Sequence, residues 1–215
     1  MPDALAPATR EGLWRRWFAT VTLGEFVGFL APATAGALTA GARPGIVAAA
    51  VLCAGAVEGA VLGSFQAAVL RSVLSGLRRW EWVRVTVLGA VVAWTIGLIP
   101  ILFGEQVGRW PGWARIPFAV AAGVAVVFSI GVAQWIVLRH FTGRARLWLW
   151  ANVVGWIAGL AAFGVVTTPL WQPGQAAVLV TAIGVLGGLV MAAVMAAVTG
   201  AFLVRILARS HPPER

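Results

Sequence analysis

Two carboxylic acids, Glu25 and Glu58, stand inside long apolar runs of a chain that holds only 7 acids in 215 residues. An ionised carboxylate in a lipid-spanning run is costly, so each must be protonated, paired, or turned toward a water-filled cavity. Two roles follow from that. Together with Gln66 the acids could form a neutral interhelical hydrogen-bond cluster, or they could handle a proton or a cation, since intramembrane acids mark such pathways. Two amides accompany them, Gln66 and Gln134, each five residues before an arginine, Arg71 and Arg139. Amides at such depth hydrogen-bond a neighbouring helix or a freed backbone group, and their repetition points to packing before ligand binding. The candidate intramembrane polar site is therefore Glu25, Glu58, Gln66 and Gln134. Arg71 and Arg139 reach lipid phosphates by extending along the helix, with a cytoplasmic-face site as the alternative.

Other chemistry finds few materials. The only Asp is Asp3, His140 and His211 lie at or beyond the ends of apolar runs, and Gly63-Ser64 has no membrane His to act as its base. Cys53 is alone, which rules out an intrachain disulfide and a Cys-based metal site. Neither a zinc-type His pair nor a phosphate-cradling Gly-Lys motif occurs. The expectation is no enzyme, no catalytic residue, no metal and no cofactor.

The elements that carry these residues are written in a repeated unit. Each copy opens with Trp-x6-Gly, at Trp17/Gly24, Trp82/Gly89 and Trp148/Gly155. Two copies close with Gln-x2-Val-Leu-Arg, at Gln66 to Arg71 and Gln134 to Arg139, and an altered third has Thr199, Leu203 and Arg205 in the corresponding region. Self-similarity at a fixed period argues for one multiplied supersecondary unit. The chain is 60% hydrophobic and 11% charged, a membrane composition, and several apolar runs exceed the ~20 residues that cross a bilayer. Six spans are expected, at about 17 to 38, 45 to 70, 82 to 103, 115 to 138, 147 to 168 and 176 to 204. This predicts an all-α fold, an integral membrane six-helix bundle built from three tandem two-helix repeats. The repeats cover about 14–71, 80–139 and 147–205 of a single transmembrane domain, 1–215, with short cytoplasmic tails. The first run has signal-peptide features, but Trp17, Gly24 and Gly28 share the register of Trp82, Gly89 and Ala93, which makes it part of the fold.

All 16 basic residues are Arg, and only Arg43, Arg109 and Arg115 fall on the side away from the termini. The excess on the other side places both termini in the cytoplasm of a bacterial cell with the protein in its inner membrane. The net charge of +9 then reflects basic loops facing anionic lipid, and no nucleic-acid partner is expected. Pro32, Pro100 and Pro169 are expected to mark helix exits, and Pro44, Pro117 and Pro173 re-entries. Trp14, Trp17, Trp80, Trp82, Trp148 and Trp150 are expected in an aromatic belt at the inner boundary, with Trp110, Trp113 and Trp171 at the outer one. Trp94 and Trp156 lie deeper and read as core or lipid-facing bulk, while Asn152 reads as a packing polar group.

Counting back from Gln66, Gln134 and Thr199, small residues recur on one helical face, most clearly Gly63, Gly59 and Gly55. This predicts that the three return helices form the inner contacts, with a second copy or a membrane-protein partner as the other use of the face. Glu25 and Glu58 break the repeat. Glu25 aligns with Ala90 and Trp156, and Glu58 with Val126 and Met191. They lie roughly 12 Å and 20 Å from the inner surface.

With Gln-Trp-Ile-Val-Leu-Arg at 134 to 139, then Trp148 and Gly155-Trp156, the chain resembles a group of uncharacterised bacterial multi-pass membrane proteins that repeat Gly-x2-Gln-Trp-x-Val-Leu-Arg. In the first closing motif Ala67 replaces the Trp, and in the third Thr199 replaces the Gln. The resemblance implies a multi-pass helical protein and brings no activity with it. The leading functional expectation is a structural or accessory helix-packing protein embedded in the lipid bilayer. The alternative is a small proton- or cation-linked transporter or channel using Glu25 and Glu58.

Overall fold

The computed structural model describes residues 7–208; Asp3, Arg209, His211 and Arg215 lie outside the described residues. Among the described residues the regular elements are all helices, α1 (Pro7–Leu38), α2 (Pro44–Leu70), α3 (Arg79–Gly97), α4 (Ile99–Gly108), α5 (Gly112–Leu138), α6 (Arg146–Thr167) and α7 (Ala177–Leu207). With α3 and α4 taken as one run, 6 helices are long and apolar enough to cross a membrane. Proline accounts for the division of that run. Pro100 has no N–H to offer the carbonyl of Ile96, and the chain turns at Leu98 before helix resumes. Leu98 is nevertheless buried there, against Ala48 and Val51 at the start of α2.

Two other prolines depart from their expected places. Pro32 lies inside α1, which continues to Leu38, and Pro117 lies inside α5, which begins at Gly112. Neither marks a helix end, because one missing N–H can be accommodated in a long membrane helix by its neighbours and by local adjustment. Pro44 does sit at the start of α2, and Pro169 follows the end of α6.

The helices form a closed ring in the order α1, α2, α3, α5, α6, α7, with α7 packed back on α1. This corrects the expectation that the return helices α2, α5 and α7 meet in the middle. Each instead stands between two Trp-bearing helices, and its small residues admit the backbone of the next one. A Cβ built on Gly59 of α2 would lie 2.8 Å from the Cα of Val87 in α3. One on Gly89 of α3 would lie 2.7 Å from the Cα of Ile130 in α5. Since lipid supplies no hydrophobic drive between helices, such close backbone approach and its dispersion contacts must supply the association.

The core is concentrated at the Arg-rich end. Trp17, Trp82 and Trp148 are fully buried there, and so are Leu70, Leu138 and Leu203. Each leucine follows Gln66, Gln134 or Thr199 by one helical turn, which places it on the same inward face. Arg71, Arg139 and Arg205 stay exposed at that end. Toward the far end the packing thins. The buried residues of α5 are Ile130, Gly131, Gln134 and Leu138, all in its last turns.

Gly59→Ala and Gly89→Ala should each lower stability by about 1–3 kcal/mol, because the added methyl meets backbone that must shift. Gly123→Ala in the open part of α5, where a Cβ meets nothing within 4 Å, should be neutral or slightly stabilising. Thermal unfolding in detergent, followed by loss of the monodisperse peak, distinguishes the two classes.

Candidate functional site

The four candidate polar residues separate into two layers. The lower layer, at the Arg-rich end, is built on three buried indoles. Trp82 of α3 donates its Nε1–H to Gln66 Oε1 of α2 at 3.1 Å, and Trp148 of α6 donates to Gln134 Oε1 of α5 at 2.9 Å. Trp17 of α1 donates to Thr199 Oγ1 of α7 at 3.0 Å, and this bond closes the ring. Across the layer, Gln134 Nε2 donates to Gln66 Oε1 at 2.7 Å and to Thr86 Oγ1 at 2.9 Å. Thr86 and Thr199 pass their own hydroxyl protons to the carbonyls of Trp82 and Met195, and Asn152 Nδ2 donates to the carbonyl of Trp148.

The rings themselves meet edge to face. Trp148 lies 5.7 Å from Trp17 and 6.1 Å from Trp82, centroid to centroid. That geometry is favoured by the ring quadrupoles and adds about 0.5–1.5 kcal/mol per pair beyond burial. These three tryptophans therefore do not belong to a headgroup belt, although Trp80 and Trp150 are exposed at the same end. An indole placed at interfacial depth can face lipid or the bundle axis, and here the acceptors Gln66, Gln134 and Thr199 draw three of them inward. The layer is a seal. Gln134 is wholly buried and Gln66 nearly so.

Above it lies a cavity of about 330 Å³ to which all six spans contribute. Leu62 and Ile130, one turn from Gln66 and Gln134, form its floor. Glu25 of α1 and Glu58 of α2 both line it, and Gln66 does not. The anticipated cluster of Glu25, Glu58 and Gln66 is therefore absent among the described residues. The reason is axial distance, since Glu58 stands eight residues, about 12 Å, from Gln66 along α2.

Each acid is held differently. Glu58 Oε2 accepts the Nε1–H of Trp94 at 2.6 Å, a short bond to a neighbour on α3. Gly55, one turn from Glu58, leaves the space in which the Trp94 ring lies; a Cβ there would collide with it. Glu25 has no hydrogen bond or ion pair among the described residues, and its carboxyl lies within coulombic range of Glu58. No arginine lines the cavity.

Trp94 and Trp156 also line the cavity, which corrects their reading as core or lipid-facing bulk. Their positions carried a usable signal. Trp156 follows Trp148 by the same eight residues that separate Glu25 from Trp17, and Trp94 follows Trp82 by twelve, as Phe29 follows Trp17. At about 100° per residue these offsets fall roughly 80° and 120° round the helix from the inward Trp, so all four share one sector beside its face. A second cavity of about 390 Å³, between α3, α4 and α5, shares Gly97 and Val126 with the first and extends to Gly108 and Arg115. The acidic cavity is thus bounded by the indole layer at the Arg-rich end, and the second cavity adjoins it across Gly97 and Val126.

Comparison of the chain with protein-family models, with curated proteins and with solved structures returns no match.

Gln134→Leu should cost about 1–3 kcal/mol, because it strands the buried Trp148 N–H and removes the donor to Gln66 and Thr86. Trp148→Phe combined with Gln134→Leu should cost less than the sum of the two single changes, since the pair shares one bond. Denaturant unfolding of the three variants measures the coupling.

Proposed function

We propose that this chain is a small proton- or cation-linked membrane transporter or channel, and not an enzyme, whose working site is the Glu25–Glu58 cavity. One observation carries the reading. Two carboxyl groups from adjacent helices project into a cavity enclosed by every span, with no arginine in its lining to neutralise them. Polar groups near the midplane, between elements of a repeated fold, are a recurring transporter design. The proposal includes three tandem two-helix units, supported by the threefold recurrence of an indole donor on one unit and an acceptor on another. It also includes a bacterial inner membrane with both termini cytoplasmic, supported by the Arg distribution. The similarity of the Gln134–Arg139 motif to the bacterial multi-pass group is part of the same reading.

In this conformation the indole layer closes the Arg-rich side, so passage requires that layer to part. The sparse packing of α5 toward the far end leaves room for helices to shift. A second reading has its own observation. The dense Trp–Gln layer and the exposed apolar face of α5, including Val120 and Val124, suit an accessory protein that packs against partner subunits or a second copy.

Flux in proteoliposomes decides between them. The wild type should carry protons or cations down an imposed gradient. Glu25→Gln and Glu58→Gln should each reduce that flux by about tenfold or more while eluting as the wild type does. No wild-type flux across a broad panel of ions and solutes, together with a stoichiometric co-purifying partner, would sink the transport reading and leave the accessory one.

A further inference from the structure

We infer that the ligand of the acidic cavity is a hydrophobic organic cation, held by Glu25 and by the aromatic rings that line the same cavity. The inference rests on the cavity being a working site, as proposed above, and adds the chemical class of its occupant.

Size comes first. A cavity of about 330 Å³ falls at the lower end of the ~300–1,000 Å³ typical of small-molecule sites. It is far larger than one dehydrated metal ion needs.

Donor chemistry narrows the class. A hard cation such as Ca²⁺ takes about 6–8 oxygen ligands, and Mg²⁺ demands near-ideal octahedral geometry. The oxygen ligands that side chains bring to this lining are the two carboxyls; the indole N–H groups of Trp94 and Trp156 are donors and cannot ligate a cation. Among the described residues no group of three His, Cys, Asp or Glu comes together that could hold a metal. An inorganic ion would therefore have to keep most of its water in an apolar chamber. An organic cation carries its own apolar cover and needs no such ligand set.

The wall supplies what such an ion prefers. Phe29 of α1, Trp94 of α3, and Trp156 and Phe163 of α6 bring aromatic rings to the cavity. A cation against an aromatic face gains about 2 kcal/mol or more when both are out of water. Met191 of α7 adds a polarisable, adaptable side chain.

The rings are spread around the cavity: Phe29 stands on α1 with Glu25 and Trp94 beside Glu58, while Trp156 and Phe163 lie on α6, apart from both acids. In the ring order α1, α2, α3, α5, α6, α7, the acid-bearing α1 and α2 stand across from α5 and α6. The charged end of an occupant is thus directed to α1 and α2, and its apolar body lies toward Ile130, Trp156 and Phe163. Glu25 makes the primary charge contact, because Glu58 is engaged by Trp94 and Glu25 has no partner among the described residues.

The test uses the full-length protein in nanodiscs, titrated with radiolabelled tetraphenylphosphonium and with its neutral relative triphenylphosphine oxide. Saturable tetraphenylphosphonium binding is expected, with triphenylphosphine oxide a poor competitor. Affinity should fall by about tenfold or more in Glu25→Gln, and should be unchanged in Glu105→Gln, an exposed acid outside the cavity. Should Glu25→Gln fail to fold, Trp156→Leu serves instead. It retains both acids and should still weaken tetraphenylphosphonium binding by about fivefold or more. Binding that is indifferent to Glu25→Gln and Trp156→Leu, or equal for the charged and neutral probes, overturns the inference. Saturable ²²Na⁺ binding that Glu25→Gln abolishes, without tetraphenylphosphonium binding, overturns it too while sparing the transport reading. Cavity-dependent binding of tetraphenylphosphonium with no flux of any ion or solute would support the ligand class and remove transport.

Discussion

Three indole N–H groups buried at the Arg-rich end impose the constraint on which the rest of this architecture depends. In a medium without water, a buried donor must find its acceptor within the protein, and leaving it unmet costs about 1–3 kcal/mol or more. Trp17, Trp82 and Trp148 meet that demand on Thr199, Gln66 and Gln134. Each bond joins two helices that are neighbours in the ring, so satisfying all three holds adjacent helices in axial register. Leu70, Leu138 and Leu203 pack beneath the layer, and glycines such as Gly59 and Gly89 let the backbones close above it. Together these contacts fasten one end of the ring.

Order at one end leaves the other end free to differ. Beyond the indole layer α5 is sparsely packed, and the ring there encloses space and holds both acids. The division has a physical logic. A carboxyl group in the dense layer would compete for the same donors and disturb the register, whereas in the cavity it disturbs only its own surroundings. The residues that break the sequence pattern, Glu25 and Glu58, accordingly stand where the packing does not depend on the pattern. Trp94 belongs to the cavity half, where its ring rests on Gly55 and its N–H engages Glu58.

Much of the fold is legible in one dimension. Long apolar runs mark the six membrane-length helices, and the period of Trp, Gly and Leu identifies faces that recur together. Legibility fails where the direction around a helix decides the outcome. Trp17 and Trp80 have similar depth and identical chemistry, yet one is fully buried and the other exposed. Depth follows from counting residues, whereas direction requires the neighbours. The same limit explains Trp94 and Trp156, whose place on the cavity wall is implicit in their spacing from the inward Trp but is expressed only once that Trp is known to face inward. Pro32 and Pro117 show a different limit, because a proline reads as a break although the surrounding helices can carry the chain through it.

Composition and periodicity by themselves determined that this chain forms long apolar helices, and that Glu25 and Glu58 stand within them as exceptions to the Trp and Gln pattern. These properties depend on residue type and local spacing, which a linear string contains. Only the tertiary structure decided that Gln66 and Gln134 belong to a sealing layer while Glu25 and Glu58 belong to a cavity, and that α2, α5 and α7 alternate with the Trp-bearing helices around a ring. That separation follows from axial position, since Glu58 stands eight residues from Gln66 and Glu25 eight from Trp17. The indoles hold the amide oxygens within their layer, and the carboxyls, set further along α1 and α2, face the open space above.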